Sequence, residues 1–222
     1  MAQLIILLDA CRYDYFKKEI STYTKDFILM PIRSWGFSTP EFYKNITGVS
    51  DFVLLTANPV VTLSGNDGKW KRVIHAKSLD PNNNLKACLD LLRYENKIVL
   101  HLIPPHLPWQ GKEGREVFAR LVKQLNYPIK QELNKYHQDS LPLGIPEKLA
   151  YQAVGVEKAR KYYRENLRFA LDAIFSFYEK LPKPFIITSD HGEALGENGE
   201  WGHIDGRADN PILRTVPLAV VY

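Results

Sequence analysis

Asp190 and His191 are adjacent, and Gly202-His203 follows across a stretch that carries Gly192, Gly196, Gly199, Gly202 and Gly206. A carboxylate oxygen beside an imidazole nitrogen makes half of a site for a divalent cation such as Mn²⁺ or Zn²⁺. The glycines let the chain turn back, so that His203 faces the same pocket. Asp9 closes the apolar run Leu4-Ile5-Ile6-Leu7-Leu8, where a bare carboxylate is costly unless a cation or donors stabilise it. A cation would do so; an ion pair with Arg12, or a helix N-cap, is the alternative, and Arg12 can also pair with Asp14. Ser38, followed by Thr39 and Pro40, is a good N-cap with proline in the first turn, which puts its hydroxyl where helix amides bind an anion. His106 follows the Pro104-Pro105 break and is placed at the mouth of the sheet. His75, His101 and His137 read as core or surface residues. Trp35, Trp109 and Trp201 lie near these positions in sequence and serve either as pocket walls or as packing.

The elements that must position these groups follow from hydrophobic spacing. Leu4–Leu8 reads as a strand buried on both faces, as in parallel sheets. Similar runs recur at Phe27–Met30, Phe52–Leu55, Ile98–Leu100, Phe185–Ile187 and Leu218–Val221, giving six predicted strands. Between them Leu85, Cys88, Leu89 and Leu92 keep helical spacing, as do Val117, Phe118, Leu121, Val122 and Leu125. A longer helix is predicted from about Val156 to Leu181, with Tyr163, Leu167, Ala170, Leu171, Ile174 and Tyr178 in one stripe and Arg and Lys opposite. Alternation of strand and helix predicts an α/β fold, a mostly parallel sheet flanked by helices on both faces, with ligands beyond the carboxyl ends of the strands. The polar stretch 128–146, with Pro128, Pro142 and Pro146, reads as an irregular excursion or lid, and Ser64–Gly68 as a plain turn.

The 222 residues suit a single domain, 1–222, since single cores stop growing near ~250 to 300 residues. A composition of 45% hydrophobic and 24% charged residues excludes disordered and collagen-like classes. No apolar run approaches the ~20 residues of a membrane span, so no transmembrane segment or secretion is expected. Two cysteines give no disulfide framework and point to the cytoplasm. The formal charge of +4 comes from 29 basic and 25 acidic residues without a polybasic block. It favours an anionic substrate and no nucleic acid.

Together these segments resemble the alkaline phosphatase and sulfatase-like superfamily of metal-dependent hydrolases and transferases. Leu4–Asp14 is similar to its opening strand with a metal-binding Asp followed by Arg-x-Asp. Thr188-Ser189-Asp190-His191-Gly192-Glu193 and Gly202-His203 are similar to its distal metal motif and pocket histidine. His101–Trp109 resembles its central strand ending in His-x-Pro, and Arg214–Leu218 its late Arg-x-x-Pro strand. Order and rough spacing hold from residue 4 to the end.

The resemblance implies a compact alkaline-phosphatase-like domain and a nucleophile near the start of a helix that ends in Thr47-Gly48. Counting back, with Pro40 as the matching proline, gives Ser38, with Thr39 in reserve. Phe42 stands where a formylglycine-forming sulfatase has Arg, which favours phosphoryl transfer over the alternative of sulfuric ester hydrolysis. The mid-chain lacks the second Asp-x-x-x-His of two-metal relatives, which favours one divalent metal: Mn²⁺ or Zn²⁺, with Mg²⁺ less well matched. Its ligands are then expected to be Asp9, Ser38, Asp190 and His191, with Ser38, His106 and His203 catalytic and a phosphoserine intermediate. The expected activity is that of a phosphatase, phosphodiesterase or phosphotransferase. The competing reading is a non-catalytic interaction module that retains the metal as a clamp.

Overall fold

The computed structural model describes residues 3–63, 67–125, 147–203 and 209–222. The excursion expected at 128–146, His137 and Gly206 lie outside the described residues, as does most of the expected turn at Ser64–Gly68. The first apolar run becomes β1 (Gln3–Asp9), followed by α1 (Tyr13–Ile20), β2 (Phe27–Arg33), α2 (Thr39–Asn45), β3 (Val53–Thr56), α3 (Val60–Leu63) and β4 (Arg72–His75). Then come α4 (Pro81–Leu91), β5 (Lys97–Pro105), α5 (Lys112–Leu125) and α6 (Glu147–Ser176). The chain closes with β6 (Phe185–Ser189), the short pair β7 (Ala194–Leu195) and β8 (Trp201–Gly202), α7 (Pro211–Arg214) and β9 (Thr215–Val221).

Seven strands form one sheet in the order β2-β9-β6-β1-β5-β3-β4. β6, β1, β5, β3 and β4 run parallel; β9 pairs antiparallel with both β6 and β2. The mostly parallel α/β sheet is the one expected, and all six predicted strands lie in it. The seventh, β4, is too short and mixed to stand out as an apolar run.

Strand alternation explains why β1 is apolar from Leu4 to Leu8. Leu4, Ile6 and Leu8 join the larger core with Phe16, Leu85, Phe118 and Leu167 from α1, α4, α5 and α6. Leu7 faces the other way, into a cluster with Phe42, Tyr43, Val61 and Trp70 under α2 and α3. A strand covered by helices on both faces has no polar face. Each fully buried Leu or Ile contributes about 1.5–3 kcal/mol.

Helix boundaries follow local chemistry. Asp80 caps α4 by accepting from Asn82 N–H, with Pro81 in the first turn. α6 starts at Glu147, nine residues before the predicted Val156, and breaks at Gly155, whose φ of 78° only glycine adopts cheaply. Beyond that break Tyr163, Leu167, Ala170, Leu171 and Ile174 form the expected buried stripe, but the helix ends at Ser176, short of the predicted Leu181, and Tyr178 lies in a separate turn and is only partly buried. Arg168 on its other side reaches Glu19 of α1 at 2.8 Å.

Candidate active site

Four adjacent parallel strands, β6, β1, β5 and β3, deliver the chemistry-bearing residues at or just beyond their carboxyl ends, where α/β sheets bind ligands. Asp9 ends β1, where the register against β5 slips between Leu8 and Asp9. Asp190 and His191 follow β6 directly. The backbone fixes Asp190: its Oδ1 accepts from Ala10 N–H at 3.0 Å and from His191 N–H at 2.9 Å, which leaves Oδ2 for the site. Burial works to raise this carboxyl, but the neighbouring imidazoles of His191 and His101 and its hydrogen bonds outweigh it and hold it below the usual range.

Asp9 is in the opposite state. Burial, then the neighbouring charge of Asp190, pushes its carboxyl up to about 7. Oδ2 accepts from Asn58 Nδ2 at 2.6 Å, whereas Oδ1 is buried and accepts no hydrogen bond. His191 donates Nδ1–H to Gly192 O at 2.8 Å. This fixes the tautomer and leaves the Nε2 lone pair 3.5 Å from Asp9 Oδ1 and 3.5 Å from Asp190 Oδ2. A buried lone pair between two carboxylates, one with an orphaned oxygen, fits a divalent cation.

The hydroxyl at this centre belongs to Thr39. Thr39 Oγ1 donates to Asp190 Oδ2 at 2.8 Å, lies 3.3 Å from His191 Nε2, and receives a longer contact from Asn58 Nδ2 at 3.5 Å. Ser38, the residue expected there, is the N-cap of α2 with extended backbone (φ −151°, ψ 159°) and makes no side-chain cap bond. It lines the cavity beside Thr39, and the first helical turn carries Thr39 onto the carboxylates instead.

His101, read from sequence as a core or surface residue, is buried but also belongs to this centre. Tyr43 Oη bonds its Nδ1 at 2.9 Å, and its Nε2, without a hydrogen-bond partner, lies 3.8 Å from Asp190 Oδ2 and 4.0 Å from Asp9 Oδ2. Burial draws its pKa down to about 4, so the ring is neutral, and Nε2 offers its lone pair to the centre when Nδ1–H donates to Tyr43 Oη. Asp9, His101 and Asp190 each offer one donor atom within 4.8 Å of the others.

His106 and His203 stand across the opening. His106 follows β5, and its Nδ1 bonds Leu107 O at 2.7 Å; His203 follows β8, its ring centroid 4.2 Å from that of His191. Two glutamates that sequence reasoning gave no role join them. Glu147, the first residue of α6, lies 2.7 Å from His106 Nε2 and 3.1 Å from His203 Nδ1, and Glu193 lies 3.3 Å from His203 Nδ1. Burial opposes ionisation of Glu147, but His203 and His106 pull its carboxyl down to about 2. Burial and the charge of Glu147 push Glu193 well above the usual range.

Of these groups Asp9, Thr39, His106, Glu147 and His203 line a cavity of about 390 Å³ whose walls are apolar, with Phe37, Val60, Ile103, Leu107 and Phe118 among them. None of the three tryptophans lines it. Trp109 packs with Phe118 and Tyr162, Trp201 stacks on Tyr151, and Trp35 is half exposed. Arg12 ties the site's first loop to the β7–β8 pair, pairing with Asp14 at 2.9 Å and Glu197 at 2.8 Å. Arg214 pairs with Glu41 of α2 at 2.9 Å.

No family model and no curated protein matches the chain. Solved structures do. The C-terminal periplasmic domain of phosphoethanolamine transferase EptC from Campylobacter jejuni superposes with a TM-score of 0.59 at 19% identity, covering 99% of this chain and 79% of that one. The corresponding EptC domain from Escherichia coli, in complex with Zn, gives 0.50 at 15% identity over 99% and 72%. A Vibrio parahaemolyticus protein of the alkaline phosphatase superfamily gives 0.56 at 9% identity over 99% and 60%. The cytoplasmic location expected from cysteine usage is overturned by these likenesses, since both EptC structures are periplasmic domains. Cys11 and Cys88 are buried, free thiols, so their number reports packing and not a redox compartment. No helix among the described residues is long and apolar enough to cross a membrane. By these superpositions the chain has an alkaline phosphatase/sulfatase-like fold.

Proposed function

We propose that the protein is a metal-dependent phosphoryl-transfer enzyme in which Thr39, one residue on from the Ser38 expected from sequence, is the nucleophile. The observation that carries this reading is the Thr39 hydroxyl at the cavity floor, 2.8 Å from Asp190 Oδ2 and 3.3 Å from His191 Nε2. Asp9, Thr39, Asp190 and His191 would hold a divalent cation, with His101 Nε2 a further donor within reach. Such a cation supplies Lewis acidity, lowering the hydroxyl's pKa and polarising a phosphoryl oxygen. The Thr39 proton is lost to solvent, the oxygen attacks phosphorus in line, and the bond to the leaving alcohol breaks. His106 and His203, across the opening, face the developing charge and can return a proton to the leaving oxygen, an effect typically of ~10² to 10⁴-fold. Water or an acceptor alcohol then takes the phosphoryl group from Thr39.

The solved EptC structures, named as phosphoethanolamine transferases, support transfer as the natural outcome. The apolar walls favour an ester with an apolar arm beside its phosphate. The test is release of nitrophenol from p-nitrophenyl phosphate and bis-p-nitrophenyl phosphate by protein stripped of metal and reloaded with Zn²⁺ or Mn²⁺. Mass spectrometry of quenched reactions is expected to find phosphate on Thr39. Turnover unaffected by chelation, or phosphate on Ser38, would overturn the assignment.

A further inference from the structure

Ala10, in the turn between Asp9 and α1, is fully buried and has a φ of 60°, one of two non-glycine residues at positive φ among those described. A residue with a Cβ adopts this left-handed conformation at a cost and keeps it only where its surroundings over-determine it. Here they do. Asp9 O accepts from His106 N–H at 3.2 Å, Ala10 N–H donates to Asp190 Oδ1 at 3.0 Å, and Cys11 N–H donates to Ser189 Oγ at 2.7 Å. Two further groups of the turn meet one side chain. Tyr163 of α6 donates its hydroxyl to Ala10 O at 2.7 Å and accepts from Arg12 N–H at 2.9 Å. The Tyr163 ring is buried and stands edge-on to Tyr15, with centroids 5.0 Å apart, so packing fixes where the hydroxyl points.

The φ of Ala10 sets the angle between its own N–H and its own C=O. At 60° the N–H reaches Asp190 and the C=O reaches Tyr163; relaxation to negative φ would turn one of them away from its partner. The Tyr163 hydroxyl opposes that relaxation, because losing it strips both Ala10 O and Arg12 N–H of their partner in the core. Ala10 N–H is in turn one of the two backbone donors that fix Asp190 Oδ1 and leave Oδ2 to Thr39, and Ala10 follows Asp9 directly.

We propose that Tyr163 is a positioning residue of the site, which holds the strained turn at Ala10 and through it aims the carboxylates of Asp9 and Asp190. It acts without a hydrogen bond to either carboxylate, from a helix whose other buried side chains only pack. Its effect on the turn is independent of the function proposed above; its effect on cation binding rests on that reading.

The test separates the turn's geometry from general stability. In metal-free protein, exchange of the residue-10 amide with deuterated solvent is followed by NMR, with Leu100 N–H in β5 as the core reference. Tyr163→Phe keeps the ring and removes only the hydroxyl. The expected result is exchange at residue 10 faster by about tenfold or more, with Leu100 accelerated less. Calorimetric titration with Zn²⁺ should show affinity weaker by roughly 10- to 100-fold. Ala10→Gly, at no cost at positive φ, should restore both in the double variant and change neither on its own. Equal acceleration at residue 10 and Leu100, or no rescue by Ala10→Gly, would make Tyr163 a packing residue and overturn the proposal. If Tyr163→Phe alone does not fold, adding Ala10→Gly is expected to restore folding, and failure of the double variant to fold would overturn it equally. Absence of zinc binding in the unaltered protein, with exchange at residue 10 behaving as expected, would remove the phosphoryl-transfer reading and leave the role of Tyr163 standing.

Discussion

Thr39 Oγ1 and Asp190 Oδ2, 151 positions apart in sequence, are joined by a 2.8 Å hydrogen bond at the base of the cavity. Ser38, immediately before, makes no such bond and does not cap its helix through its side chain. The two hydroxyls are therefore separable by experiment. Thr39→Ala is expected to lower kcat by on the order of 10³-fold or more, as loss of a nucleophile does. Ser38→Ala should leave kcat largely unchanged and spare the ~1 kcal/mol usually lost with an N-cap side chain, because no cap bond exists to lose. Steady-state kinetics and thermal melts of both variants decide it, and inactive Ser38→Ala with active Thr39→Ala would reverse the roles.

Gly192 separates the metal-side His191 from Glu193 and is closed in by α7. A Cβ there would lie 2.0 Å from Ile212 O, a backbone atom that cannot swing aside, and Gly192 N–H donates to Leu213 O at 2.8 Å. Gly192→Ala is predicted to displace His191 or α7, lowering both bound zinc and melting temperature. Gly68→Ala, with nothing within 4 Å of its Cβ, is the control and should change neither.

What the sequence could and could not reveal follows from where each constraint lies. Asp9, Asp190 and His191 are legible because each ends or follows a strand whose apolar run is visible, and strand ends of a parallel sheet converge. The Ser38–Thr39 choice was not legible, because it depends on where α2 begins, and helix starts are uncertain by a residue or two. His101 looked like core because the strand around it is continuously apolar; only the packing of Tyr43 against its Nδ1 turns Nε2 toward the carboxylates. Glu147 follows the polar stretch before α6 and carries no local signal, its role arising from the 2.7 Å and 3.1 Å contacts made by the folded chain. Glu193 sits inside the quoted motif, but its partner His203 is ten residues away across a turn.

Arg12 is nearly buried and bonds Asp14, Glu197 Oε1 and Glu193 O, so one guanidinium holds the loop after β1 to the β7–β8 pair. Removing it leaves Glu197 without its strongest partner, although Arg160 Nη2 still reaches the same carboxylate at 3.0 Å. Asp14 is half exposed and can be rehydrated, so the cost falls below the ~3–5 kcal/mol of a fully buried pair. Arg12→Met is expected to destabilise by about 2 kcal/mol in denaturant titrations. Adding Glu197→Gln should cost little more, and strictly additive losses would show that the two groups are not coupled.

The thiols report on the core from which the site is built. Cys88 is fully buried on α4, and burial alone pushes its thiol up to about 12, while Cys11, next to Asp9's loop, is raised well above its ordinary value by burial and then by Asp14 and Asp190. Since the thiolate is the reactive form, neither cysteine should react with a disulfide reagent at pH 8 in the native protein, and both should react at once in denaturant. The same shift fixes the sign of the pH dependence. The unfolded thiol ionises near 9 and the folded Cys88 near 12, so its contribution is intact below pH 9 and is lost as pH rises from 9 through 12. Stability measured by denaturant midpoint should therefore fall across that window, and Cys88→Ala should flatten the slope even as it lowers stability at pH 7 by leaving a small cavity. An equal alkaline slope in Cys88→Ala would assign the loss to other groups.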